Sequence, residues 1–83
     1  MLHRTEKRRR KREEAIFLRE AVQNLSDKLR EVVVMKTWGG LTFAQISETL
    51  AISPNTAASR YRYALEQLAL SMKKVKEDRY AEA

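Results

Sequence analysis

Breakers of regular structure are confined to one short stretch of this chain. Its only glycines are Gly39 and Gly40 and its only proline is Pro54; none interrupts the residues before or after them. Glycine and proline are the strongest local punctuation a sequence carries. The chain is therefore built from long uninterrupted elements flanking a tightly turned centre. With 83 residues it has room for one small domain. No cysteine is present, which removes disulfide frameworks and thiolate metal sites and suits a reducing compartment. The longest apolar run, Val32 to Met35, is too short to span a bilayer or to form a signal-peptide core.

Periodicity assigns the long elements to helices. From Glu13 onward, Leu18, Ala21, Val22 and Leu25 share one helical face, and Glu13 and Glu14 suit a first turn. Ser26 or Asp27 is placed to cap a second helix, with Leu29, Val32, Val33 and Met35 pointing inward. The three valines would suit a strand, yet the sequence offers no second strand for them to pair with. Gly39-Gly40 ends this helix through a left-handed cap and turn. Thr42 then caps a short third helix carrying Phe43, Ile46 and Leu50 on one face. Ala51-Ile52 forms a tight connection.

Ser53-Pro54 is the sharpest local signal: an N-cap hydroxyl followed by proline at the first helical position. The fourth helix has no breaker after it. Its apolar stripe is Ala57, Tyr61, Ala64 or Leu65, Leu68, Met72 and Val75. The expected fold is all-α: a four-helix domain with a helix-turn-helix and a long C-terminal recognition helix. Residues 1–12 are assigned to a basic arm or inter-domain linker, 13–78 to the domain, and 79–83 to a C-terminal tail that follows the stripe and begins near Tyr80.

The net charge of +6 is not spread over the chain. Residues 1–12 hold Arg4, Lys7, Arg8, Arg9, Arg10, Lys11 and Arg12 against Glu6, and the remainder is neutral. This segment is low in apolar residues and is read as a solvated arm, with continuation into the first helix as the other possibility. Cations at a helix N-terminus oppose the macrodipole and would fray such a continuation. Arg8, Arg9, Arg10, Lys11 and Arg12 are candidate phosphate contacts; a nuclear-import patch and a passive tail are the competing readings. His3 has no companion ligands, so no metal site is expected, and no cofactor is expected.

Two helices joined by a very short turn, the second one capped and exposed, form the arrangement of a helix-turn-helix. Ser47, Ala51 and Ala57 are small where the two helices would meet, and Ile46, Leu50 and Ile52 supply the wedge between them. Off the apolar stripe, near the start of the fourth helix, lie Asn55, Thr56, Ala58, Ser59, Arg62 and Tyr63. In a helix-turn-helix this end enters the major groove, where such side chains meet base edges and phosphates. Between Thr49 and Leu65 there are two arginines, Arg60 and Arg62, and no acid. An ordinary solvated helix face mixes Glu with Lys. Trp38 is expected as a partly buried lid beside the glycine turn, with a docking contact as the alternative. Tyr61 is assigned to the core and Tyr63 to the DNA side. The Leu68–Met72–Val75 extension is expected to fold back on the first helix; the alternative is a seam for another chain.

The stretch from Leu25 to Leu68 resembles region 4 of bacterial sigma factors, most closely the extracytoplasmic function (ECF) group. The residues that carry the resemblance are Leu25, Arg30, Glu31 and Val32, then Gly40-Leu41-Thr42 and Ile46-Ser47. Ile52-Ser53, Thr56, Ser59-Arg60, Ala64 and Leu68 follow at the family's spacing. The resemblance implies that the helix from Pro54 reads the −35 promoter element in double-stranded DNA. It also implies docking on the β-subunit flap of RNA polymerase, admits an anti-sigma factor as a partner, and places the protein in the bacterial cytoplasm. Carried over by position, Ala58, Ser59, Arg62 and Tyr63 face bases or backbone, and Arg60 sits at the flank, reaching phosphate or Glu31. The chain departs from the family at Ala58, often basic there, at Ala57, usually valine, and at Ser47, usually alanine.

Two other readings share some of these features. A LuxR-type regulator output domain has the Arg-Glu-Val and Ile-Ser-x2-Thr elements but usually carries Lys-x-His where this chain has Ala58-Ser59-Arg60. A helix-turn-helix recast as a protein-interaction module would use the Met72–Val75 seam. Catalysis is not expected: no paired His and carboxylate, nucleophile motif or phosphate-cradling loop exists in the body. No membrane partner is expected. The sigma −10-reading region is not in this sequence, which is read as an excised C-terminal domain or a shortened frame, with the basic arm as part of the linker between sigma domains.

Overall fold

A computed structural model describes the backbone of residues 2–80 and the side chains of residues 11–78. It contains four helices: α1 (Leu2–Gln23), α2 (Asp27–Thr37), α3 (Phe43–Leu50) and α4 (Pro54–Tyr80). The fold is all-α, and the valine triplet lies within α2. His3, the candidate phosphate contacts Arg8, Arg9 and Arg10, and Tyr80 have side chains outside the described set, and residues 81–83 lie outside it altogether.

Helix α1 starts well before Glu13. Residues 2–12 continue it, because no breaker precedes Gly39 and the Arg and Lys of this segment are good helix formers. Its inward face is the expected one: Val22 is buried, and Leu18, Ala21 and Leu25 pack against it. Ser26 occupies the N-cap of α2 but its side chain makes no capping hydrogen bond. Arg30 holds this junction instead. Its guanidinium donates to the Gln23 carbonyl at 3.1 Å and pairs with Asp27, tying the last turn of α1 to the first of α2.

The turn after α2 has a specific need for each glycine. Gly40 is left-handed at φ +66, whereas a Cβ on Gly39 would stand 2.7 Å from the Met35 carbonyl oxygen. Thr42 and Gln45 form a reciprocal capping box at the start of α3: the Gln45 N–H donates to Thr42 Oγ1 at 3.1 Å, and the Thr42 N–H to Gln45 Oε1 at 2.9 Å. Helix α3 closes on Ala51, which adopts the left-handed conformation at φ 55. Ala51 therefore differs from its expected place at the helix crossing: it is exposed and acts through its backbone. Left-handed φ costs a residue with a Cβ about 1–2 kcal/mol. The turn offsets that cost by satisfying the end of α3, with the Ala51 and Ile52 N–H groups both donating to the Ser47 carbonyl.

Helix α4 is the wall against which everything else packs. Val22, Val33, Ala64 and Leu68 form one buried cluster; Val32, Ile46 and Ala57 form a second, sealed by Met35, Leu41, Phe43, Leu50 and Ile52. Tyr61 borders both. Of the paired candidates, Ala64 is fully buried and Leu65 stands at the rim, 43% exposed. Phe43 meets Tyr61 edge-on at 5.6 Å, and the Lys36 ammonium sits over the Phe43 ring at 4.6 Å, so one stack links α2, α3 and α4. Beyond Leu68, α4 runs back along α1 as expected: Phe17 and Ala21 border a small cleft with Met72 and Val75.

Candidate nucleic-acid interface

The reading end of α4 is fixed from both directions. At its start, the Thr56 N–H donates to Ser53 Oγ at 3.0 Å, and the Ser53 hydroxyl donates to Thr56 Oγ1 at 2.8 Å. Pro54 loses nothing by lacking an N–H at the first helical position. From beneath, Ala57 is wholly buried against Val32 and Ile46. Ser47 is buried as well, and its hydroxyl donates to the Ala44 carbonyl at 2.9 Å, so it leaves no unsatisfied polar atom at the crossing. Small residues at 47 and 57 let α3 and α4 approach closely. Ile46 keys the angle between them.

This arrangement brings Asn55, Ala58, Ser59, Arg62 and Tyr63 onto one outward surface. Asn55, Ser59, Arg62 and Tyr63 are exposed, and Ala58 is half-buried. Thr56 is half-buried and engaged in the cap, so it is placed to orient the helix as well as to touch a ligand. Arg60 is half-buried at the flank, and no Arg60–Glu31 ion pair forms. Asp27 pairs with Arg30 and Lys73 with Glu77, both away from this surface. The two arginines of the reading end are thus uncommitted to any carboxylate.

Side chains on a helix lean toward its N-terminus, so Arg62 lies over positions 58 and 59. Alanine and serine there leave an open shelf under the guanidinium. A planar fork of donors with nothing tall beside it suits a base edge or a phosphate. Tyr63, 53% exposed, extends the same surface with an aromatic face and a hydroxyl.

A second surface lies on the far side of α2. Trp38 is 56% exposed and Val34 42%, and with Arg19, Val22 and Gln23 they border a shallow groove of about 290 Å³ between α1 and α2. Trp38 therefore is not the partly buried lid expected. The residue is the C-cap of α2, still in right-handed helical geometry with its N–H donating to the Val34 carbonyl, and the chain reverses only at Gly40.

The family model of sigma-70, region 4 matches residues 18–68, more than half of the chain. The chain belongs to this family. The match begins in the packed half of α1 and ends at Leu68, the last fully seated position of the core on α4. Region 4 of sigma-70 factors binds promoter DNA at the −35 element and RNA polymerase, and the family is a DNA-binding one, not a catalytic one. No curated protein matches the chain. No described helix is long and apolar enough to cross a membrane. Sequence reasoning placed Arg30 in the family motif but not in its clasp between α1 and α2, and it missed Lys36, which stacks on Phe43. Lys36 is a single basic residue in mixed surroundings, and nothing in its spacing marks it.

Proposed function

We propose that the outward surface at the start of α4 reads the −35 element in the major groove, with Ser59, Arg62 and Tyr63 on bases and Asn55, Thr56 and Arg60 on the backbone. Ala58 provides the small, apolar floor that lets Arg62 reach inward. The observation that carries this reading is the pair of arginines on an acid-free helix start, free of carboxylate partners and held rigidly by the α3–α4 crossing. The order and spacing of Leu25, Arg30-Glu31-Val32, Gly40-Leu41-Thr42 and Ile52-Ser53 support assignment to the extracytoplasmic function group and a role in the bacterial cytoplasm. The test is selection from a random duplex library by the chain bound to polymerase core. A single enriched motif of about one major-groove turn is expected; recovery of unenriched sequences would contradict the reading.

In the same reading the α1–α2 groove receives the polymerase, through its β-subunit flap, or an anti-sigma factor competing for the same surface. Exposed aromatic and aliphatic side chains beside Arg19 are what a protein contact uses, since aromatic anchors dominate interface energies. Trp38→Ala should weaken binding of the chain to polymerase core at least tenfold, while leaving its melting temperature and its affinity for the selected duplex within error. Unchanged core binding would remove this groove from the interface.

A further inference from the structure

The outward surface at the start of α4 is polar except on one flank. At about 100° per residue, Ser59 falls opposite the buried line of Ala57, Ala64 and Leu68 and is the most outward point. Asn55 and Arg62 lie to one side of it and Tyr63 to the other, all exposed. Ala58 stands one turn before Arg62 and about 40° nearer the core. It is half-buried, and what an alanine on a helix shows to solvent is chiefly its methyl group. Its neighbours on the helix surface, three and four residues away, are Pro54 and Asn55 before it and Tyr61 and Arg62 after it. Pro54 presents an exposed apolar ring, and Tyr61 is turned into the core. The Ala58 methyl, the Pro54 ring and the methylene stem of Arg62 thus border a shallow apolar notch, with the guanidinium at its rim.

Such a notch discriminates between bases by one group. In the major groove, adenine, guanine and cytosine present donors and acceptors, and thymine alone adds an apolar group, its C5-methyl. A polar base edge set against Ala58 would give up water and gain no partner. A methyl group there gives up nothing but its contact with water. The guanidinium has the opposite preference. It is a fork of donors with no carboxylate partner among the described residues, and it matches the O6 and N7 acceptors of guanine. Side chains four apart on a helix are about 5–6 Å apart at Cβ, and the N-terminal lean of Arg62 shortens that reach. The methyl and the guanidinium are therefore spaced for neighbouring base pairs, which stack about 3.4 Å apart.

We propose that Ala58 is a specificity-determining residue, whose methyl group receives the C5-methyl of a thymine in the base pair next to a guanine held by Arg62. Ala58 is then a reader in its own right as well as the floor beneath Arg62. This rests on the reading of α4 as the DNA-contacting helix, and adds to it the chemistry of one base.

The test removes single methyl groups from the DNA. In the duplex selected by the polymerase-bound chain, each thymine is replaced in turn by deoxyuridine, and the affinity of the full chain on polymerase core is measured by competition. Pairing and every hydrogen-bonding group stay the same; only the C5-methyl is lost. The expected result is one sensitive thymine, beside the guanine whose preference relaxes in Arg62→Ala. Substitution there should weaken binding about threefold to fivefold, the worth of one methyl group leaving an apolar contact. Ala58→Gly should bind the thymine and deoxyuridine duplexes equally. Each protein is compared with itself, so a loss of stability in the variant does not enter the ratio. A sensitive thymine elsewhere, or none, overturns the proposal and leaves α4 as the reader. A methyl effect that persists in Ala58→Gly overturns it equally and assigns the methyl to another side chain. Failure to select any motif removes the reading of α4, and the proposal with it.

Discussion

Ile46→Ala is expected to lower the unfolding free energy of the domain by about 2–5 kcal/mol, the range for removing a buried branched side chain and leaving a cavity. Ile46 is wholly buried, at the point where α2, α3 and α4 converge on Val32 and Ala57. The site has little means of collapsing into the space. Ala57 cannot extend toward it, and Val32 is stiff at χ1 on a helix. A domain this small buries modest apolar surface in total, so a loss of this size is a large part of its stability. In thermal denaturation, about 1 kcal/mol corresponds to roughly 4–8 °C for a domain of 60–100 residues. The variant should therefore melt at least 8 °C lower or fail to fold. A melting temperature within 2 °C of wild type would show that the α3–α4 crossing does not depend on this wedge. Ile46→Val, which removes one methylene, should fall between, at about 0.5–1.5 kcal/mol.

Arg62→Ala carries the largest expected effect on function. If the guanidinium makes a bidentate contact with a base edge, its removal costs about 1–3 kcal/mol on the selected duplex. That is roughly a fivefold to 150-fold loss of affinity, because each 1.4 kcal/mol is a factor of about ten. Discrimination at one base position should relax with it. Binding to random duplex should change much less, since sequence-independent affinity rests on phosphate contacts elsewhere. An equal loss on both duplexes would make Arg62 a phosphate contact and reduce the salt slope by about one. No loss on either would take Arg62 out of the interface. The folded state should be unaffected, because Arg62 is exposed and has no ion pair or hydrogen bond to give up.

The parts of this fold legible in the sequence are those where one residue type has one physical use. Pro54 behind Ser53, Thr42 before the Phe43–Leu50 stripe, and Gly39-Gly40 each set a helix boundary that the structure keeps. The core was legible because α4 buries Ala57, Ala64 and Leu68 at a regular spacing. The start of α1 was harder to read. Repulsion among cations and their place at the N-terminus argue against a helix, while propensity and the absence of any breaker argue for one. Ala51 shows a different difficulty: alanine carries no mark of left-handed backbone, and only the closure of α3 onto Ser47 requires it there. Trp38 was misplaced because an aromatic residue beside a turn reads as core, whereas its orientation depends on how the chain leaves α2. Of the reading surface, the sequence specified which residues are exposed and that no acid lies among them. It did not show that Arg60 would leave Glu31 unpaired, since that depends on the relative placement of α2 and α4.

The central claim is that duplex DNA is read by the first turns of α4. The most direct measurement is nuclear magnetic resonance of the labelled chain titrated with the duplex selected by the polymerase-bound protein. The account predicts that the largest shift changes fall on the amides and side chains of Asn55 to Tyr63, including the Arg62 guanidinium, with the α1–α2 groove around Trp38 unperturbed. Perturbation centred on Val34 and Trp38, with Ser59 and Arg62 unmoved, would contradict it.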